Sequence, residues 1–173
     1  YGAGAIGCFH VVLSKLMGAK RVFVVDDVPE RLERVKQFHP DRIIDYGAEN
    51  TVEVVKSMAP LGVDVVFTCA PSRTAQEEAL MLVAPRGRVN LFGGLAKDNS
   101  QITIDANKVH YDEIFISGTS SSLPETNREA LKLLAEQKIV ADDFISHVIP
   151  LGELEKGFSL IEQKRGLKVI ITP

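Results

Sequence analysis

The sequence predicts an α/β fold in which a doubly wound parallel sheet is flanked by helices, and three observations predict it. Short apolar runs of β type alternate with helical stretches from residue 1 to residue 118. The opening Tyr1-Gly2-Ala3-Gly4-Ala5-Ile6-Gly7 has the spacing G-x-G-x-x-G, with glycines at 2, 4 and 7. An acid, Asp26, closes the next β run, 19 residues (26 − 7) after Gly7.

In such a turn Gly2 permits the tight exit from a strand and Gly4 lets the backbone approach a pyrophosphate. Gly7 lets the following helix pack close to the sheet. That helix occupies the apolar stretch 6–17 and ends at Gly18. Its N-terminus presents free N–H groups and the positive end of a dipole to an anion. Residues 21–25 form the next strand, and Asp26 stands about where a ribose-binding acid is expected. Its carboxylate is able to accept from both adenosine hydroxyls and repels a 2′-phosphate, which favours NAD over NADP. Asp27 and Glu30 form a D-x-x-E pattern that reads as the cap of the next helix and leaves Asp26 free for a ligand.

The remaining elements follow in order. Residues 28–38 read as a helix with Pro29 in its first turn, 42–45 as a short strand and 51–58 as an amphipathic helix. Residues 63–68 form a continuous apolar run with Asp64 near its start, as in a buried parallel strand. A helix over 74–83 precedes a strand over 88–92, bounded by Gly87 and Gly93-Gly94. A polar loop leads to Ile102-Thr103-Ile104 and then to the edge strand 113–117. Past Gly118 the character changes. Ser122-Leu123-Pro124-Glu125 is an S-x-x-E box that opens a helix to about Glu136. Residues 144–149 are extended, 151–163 helical, and 167–171 form a final strand, an order expected not to continue a simple parallel sheet. The division predicted is a dinucleotide-binding domain over 1–119 and a C-terminal segment over 120–173. Only Tyr1 is left to represent the strand before the glycine turn, so the chain is expected to be part of a longer protein.

Composition narrows the function. The 173 residues are 45% hydrophobic and 25% charged with a net charge of −3, an ordinary globular composition. That charge gives no reason to expect a nucleic-acid or membrane partner. Two cysteines, Cys8 and Cys69, make neither a disulfide framework nor a zinc knuckle, which suits a reducing, cytoplasmic setting. Cys8 reads as a small buried hydrophobe. Among His10, His39, His110 and His147 none has metal-ligand spacing, so no metal is expected in this chain.

Taken as an ordered set, Gly2 to Gly7, Val24-Val25-Asp26, Val63-Asp64-Val65-Val66-Phe67 and Gly87-Arg88-Val89-Asn90-Leu91-Phe92-Gly93-Gly94 resemble the medium-chain zinc-dependent alcohol dehydrogenases. His110-Tyr111, Ile145-Ser146-His147 and Leu167-Lys168-Val169-Ile170 extend the likeness across the whole chain, nearest the sorbitol/polyol and threonine dehydrogenase branch. The resemblance implies a Rossmann domain, the cofactor-binding half of an enzyme that passes hydride from a secondary alcohol to NAD. It implies that Gly2, Gly4 and Gly7 seat the pyrophosphate, with backbone contacts from Ala5 and Ile6. It places Asp26 on the adenosine ribose, Arg31 beside the adenine and Lys168 within reach of the pyrophosphate. Cys69, Ala70 and Pro71 would pass over the cofactor, and Phe92, Gly93, Gly118 and Thr119 would meet its nicotinamide end. Zinc and the alcohol or polyol substrate would belong to a separate catalytic domain, leaving this chain inactive alone. Family subunits join sheets through the edge strand, which implies a homodimer or homotetramer through residues 113–117.

Two other functions compete. A methyltransferase shares the glycine turn and the acid, but the 89–94 and 114–119 segments disfavour it. A non-catalytic NAD-sensing module would look like the isolated domain. A short-chain dehydrogenase is disfavoured because none of Tyr1, Tyr46 and Tyr111 has a lysine four residues later.

Overall fold

The computed structural model describes residues 1–173, and helices and strands alternate along all of it. Helix α1 (Ala5–Leu16) leads to strand β1 (Phe23–Asp26), helix α2 (Pro29–Val35) and strand β2 (Arg42–Asp45). Helix α3 (Thr51–Met58), strand β3 (Val63–Phe67), helix α4 (Arg73–Leu82) and strand β4 (Val83–Leu91) follow. A short helix α5 (Ala106–Tyr111) then precedes strand β5 (Phe115–Gly118).

Strands β1 and β2 pair in parallel, as do β3, β4 and β5 in that order. Tyr1 and Gly2 join the two groups. The Tyr1 amino group donates to the Phe67 carbonyl at 2.7 Å, the Cys69 N–H donates to the Tyr1 carbonyl at 2.7 Å, and the Gly2 N–H donates to the Val25 carbonyl at 2.7 Å. The spatial order β2, β1, Tyr1-Gly2, β3, β4, β5 is that of a doubly wound dinucleotide-binding sheet. Consecutive strand residues point to opposite faces, so Val24 and Val25 enter different cores. Val25, Ile44, Val66 and Val89 pack with Val55, Ala79 and Leu82 on one face. Val24 packs with Cys8, Val11, Val35 and Phe38 on the other.

The C-terminal part contains helix α6 (Pro124–Ala135), strand β6 (Ile145–Pro150), helix α7 (Leu154–Glu162) and strand β7 (Lys168–Thr172). Here the expected loss of alternation is corrected: β6, α7 and β7 form a parallel βαβ unit, but in a sheet of their own. The unit is anchored by Phe144, whose ring stacks on Phe9 and Phe38 at centroid distances of 3.9 and 4.7 Å.

Four local expectations change. Ile102-Thr103-Ile104 pairs with no strand, and α5 forms because the Asp105 carboxylate accepts from the Asn107 and Lys108 N–H groups. The edge strand begins at Phe115, since Glu113 has a left-handed φ of 52° and Ile114 turns into the core at 7% exposure. The Ser122 box does not form. Pro124 takes the first helical position, Leu123 becomes the cap residue, and the Ser122 hydroxyl bonds Asn127 instead. The strand expected over 88–92 is longer at its start: β4 runs from Val83 to Leu91, with a register shift against β3 between Val63 and Val65. No helix is long and apolar enough to cross a membrane.

Candidate cofactor site at the glycine turn

The turn is fixed by backbone crowding. A Cβ on Gly7 would collide with the Gly2 carbonyl, whose carbon would lie 2.8 Å away, so only glycine lets α1 start this close to the strand end. Gly2 sits at φ +98°, a conformation glycine adopts without strain, and a Cβ there would meet the Ala70 nitrogen at 3.1 Å. At Gly4 a side chain would meet only the Arg31 guanidinium, 3.8 Å off, so this backbone lies open to an approaching ligand. Gly4 caps α1 with no side-chain hydrogen bond. The N–H groups of its first turn, at Ala5, Ile6 and Gly7, have no partner within the helix and face outward as anion donors.

Asp26 is drawn tightly into this turn. It is only 7% exposed, and its Oδ2 accepts from the Ala3 N–H at 2.6 Å while Oδ1 accepts from the N–H groups of Asp27 and Val28, both at 2.9 Å. The expectation that Asp27 caps α2 and leaves Asp26 free is therefore overturned. Val28 is the cap residue, it makes no side-chain cap, and Asp26 itself holds the entry to α2. Glu30 instead accepts from the Gly166 N–H and pairs with Arg34. A carboxylate has about four acceptor positions, and three are used, so Oδ2 keeps one for a ribose hydroxyl rather than two. The Arg31 Nη1 lies 3.9 Å from Oδ2, and the Arg31 Nε is buried without a partner, a donor fit for a polar ligand over the turn.

On the far side of the turn, Cys69 and Ala70 lie under Gly2, and Gly93 packs on Ala70 so closely that a Cβ would come within 2.8 Å of its carbonyl oxygen. The Phe92 ring meets His10 edge to face at 4.9 Å. Thr119 Oγ1 accepts from the Asn90 side-chain amide at 2.8 Å, beyond Gly118 at the end of β5. Lys168 stands exposed on β7, opposite Ile145.

Three residues outside the sequence-based site also shape it. Gln76, 4% exposed, donates to the Gly93 carbonyl at 2.8 Å, and Asn90 ties β4 to Ser117 and Thr119 while its Oδ1 is buried without a partner. A buried amide on the apolar face of α4, or inside an apolar strand, is the signal that points to them. His10 bonds the Ile6 carbonyl at 2.9 Å and lies 3.5 Å from the Cys69 sulfur; burial pushes its pKa below the usual 6.5. The thiol of fully buried Cys8 is pushed up to about 12 by burial, with Asp26 adding to the shift, so it is a packing residue and not a nucleophile. No three His, Cys, Asp or Glu side chains come together in a way that would hold a metal ion.

A parallel α/β arrangement with a glycine turn set between its two groups of strands, and an acid closing the neighbouring strand, defines a class of nucleotide-binding domain. The chain belongs to the zinc-binding dehydrogenase family, which it matches over residues 5–136. It is 30% identical to L-threonine 3-dehydrogenase of Bacillus subtilis over 99% of this chain and 50% of that protein. It is 26% identical to sorbitol dehydrogenase of Halalkalibacterium halodurans, again over 99% of this chain and 50% of that protein. Among solved structures, a Sinorhizobium meliloti 1021 protein described as a zinc-binding dehydrogenase, bound to NADP, superposes with a TM-score of 0.85 at 25% identity, covering 99% of this chain and 51% of that chain. The chain spans about half the length of the curated relatives it matches.

Proposed function

We propose that this chain is the NAD-binding part of a zinc-dependent alcohol or polyol dehydrogenase, in which hydride passes from a secondary alcohol to NAD. One observation carries the reading: the open backbone at Gly4 lies beside the first-turn donors of α1, Asp26 and the unpartnered Arg31 Nε. The pyrophosphate rests on the N–H groups of Ala5, Ile6 and Gly7. Oδ2 of Asp26 takes one ribose hydroxyl and rejects a 2′-phosphate, while Arg31 lies along the adenosine. Cys69, Ala70, Phe92, Gly93, Gly118 and Thr119 line the way to the nicotinamide, which supplies the hydride acceptor. Residues 120–173, Lys168 among them, form the segment through which the chain meets a catalytic domain, and that domain brings zinc and the alcohol. Alone, the chain transfers no hydride. In this reading the protein works in the cytoplasm as a homodimer joined through β5, where Phe115 and Ile116 are exposed on an edge strand.

Calorimetric titration with NAD and NADP tests the cofactor. Asp26→Asn keeps the shape but removes the charge; it is expected to weaken NAD by about 1–3 kcal/mol and to narrow the preference over NADP. Equal discrimination by both proteins, with a lowered melting temperature for the variant, would show Asp26 to be structural only. Tight binding of S-adenosylmethionine with no NAD binding would favour the methyltransferase. For the activity, a longer protein that joins this chain to its catalytic domain should reduce NAD with small polyols and lose that activity to a chelator.

A further inference from the structure

Strands β4 and β5 end side by side, with Leu91 and Gly118 as register partners, and beyond them the ladder stops. The peptide groups of Phe92 and Thr119 take part in no backbone hydrogen bond. The Gly93 N–H still donates to the Thr68 carbonyl at 2.6 Å, but its carbonyl has left the sheet. Each of these two edges is held instead by a side-chain amide. Gln76 Nε2 donates to the Gly93 carbonyl at 2.8 Å from the buried face of α4. Asn90 Nδ2 reaches across to β5, donating to Ser117 Oγ at 3.1 Å and to Thr119 Oγ1 at 2.8 Å.

Packing alone would select neither amide. Gln76 is 4% exposed and shares its helix face with Ala75, Ala79, Leu80 and Leu82. A leucine or methionine would fill that place without the cost of desolvating an amide. Asn90 stands in a strand between Val89 and Leu91, where asparagine is disfavoured, and its Oδ1 is buried without a partner. What the two share is the end of the sheet they serve. Both sit on elements fixed elsewhere: α4 is capped by Ser72, whose Oγ accepts from the Ala75 N–H, and Asn90 is paired with Phe67 and Ser117.

We propose that Gln76 and Asn90 are positioning residues for the nicotinamide half of the cofactor, acting through the two backbone edges rather than by contact. The proposal rests on the assignment of Phe92, Gly93, Gly118 and Thr119 to that end. A carboxamide both donates and accepts, so it is held well only where free peptide groups keep a fixed spacing. The free groups of Phe92 and Thr119 are of that kind, and the two amides set their spacing. The adenosine end has its own supports at Gly4, Asp26 and Arg31, so losing either amide weakens one half of the cofactor and spares the other.

Calorimetric titration of this chain with NAD and with ADP-ribose, which carries everything but the nicotinamide, reads the two halves separately. Gln76→Met keeps the length and removes the donor, while Asn90→Val keeps a strand former and removes both ties to β5. Each variant is expected to bind NAD about tenfold more weakly and ADP-ribose within about twofold of the parent. Either variant decides alone where the other fails to fold. Equal weakening of both ligands, in step with a lowered melting temperature, would make the amides structural and overturn the proposal. Unchanged NAD affinity in either folded variant would overturn it as well. A parent that binds NAD and ADP-ribose equally tightly would overturn it and leave the dinucleotide site standing. A parent that binds neither would remove the cofactor reading itself, and this proposal with it.

Discussion

Residues 1–118 and 119–173 are both assembled from parallel βαβ units, yet they bury their apolar residues differently. In the first region Val66 and Val89 are 6% and 0% exposed, with a helix layer on each side of the sheet. In the second, Val148, Phe158 and Ile161 stand about 60% exposed. The β6–β7 ladder nevertheless joins five residue pairs, with one register shift between Ile145 and His147, and α7 is seated against it where Gly157 brings the helix to Ile149 and Ile171. The difference teaches that backbone pairing in a βαβ unit is a local matter, whereas burial needs a second layer. A two-stranded sheet under one helix satisfies its N–H and C=O groups and still leaves its outer faces to water.

The largest expected effect comes from cutting the link between the regions. Phe144→Ala removes the ring between Phe9 and Phe38 and should cost about 3–5 kcal/mol, with β6 and β7 losing exchange protection before β3 and β4 do. Simultaneous loss in both regions would mean that they are one cooperative unit and the contrast is superficial. Next in size is Gly7→Ala. The collision with Gly2 should cost about 2–3 kcal/mol in urea unfolding, while Gly152→Ala in the second region, where a Cβ meets nothing within 4 Å, should be close to neutral.

A smaller effect depends on pH. Burial holds the folded pKa of His10 below its unfolded value near 6.5, so as the pH falls the unfolded chain binds the proton first. This contribution is full above about pH 6.5 and is lost as the pH drops through the folded pKa. His10→Gln should flatten that part of the profile, measured by urea unfolding across pH 5 to 8; an unchanged slope would assign it to other groups. Smallest of all, Phe158→Ala on the exposed face of α7 should stay within about 0.5 kcal/mol of the parent.

Elements with a strong local signal were legible in the sequence. Helix α3 matches its predicted bounds because Asn50 caps it and Ala59 and Pro60 end it, and β2 falls on the predicted residues 42–45. Helix α5 escaped because six residues are too few for a period to show. At residues 122–124 two signals competed, and proline at the first helical position prevailed over the serine cap. The site divides in the same way. The glycine spacing and Asp26 are local, so they could be read directly, but which aspartate caps α2 depends on the Ala3 N–H, 23 residues earlier. Gln76 and Asn90 reach partners 17 and 29 residues away, and no spacing rule gives that.

The central claim is that the opening turn, and not the exposed C-terminal unit, is where a dinucleotide binds. Amide chemical shifts recorded while NADH is added test it most directly. The account predicts saturable shifts at Ala5, Ile6, Gly7 and Asp26, with β6 and β7 unmoved. Shifts confined to residues 145–172, or none at millimolar NADH, would contradict it.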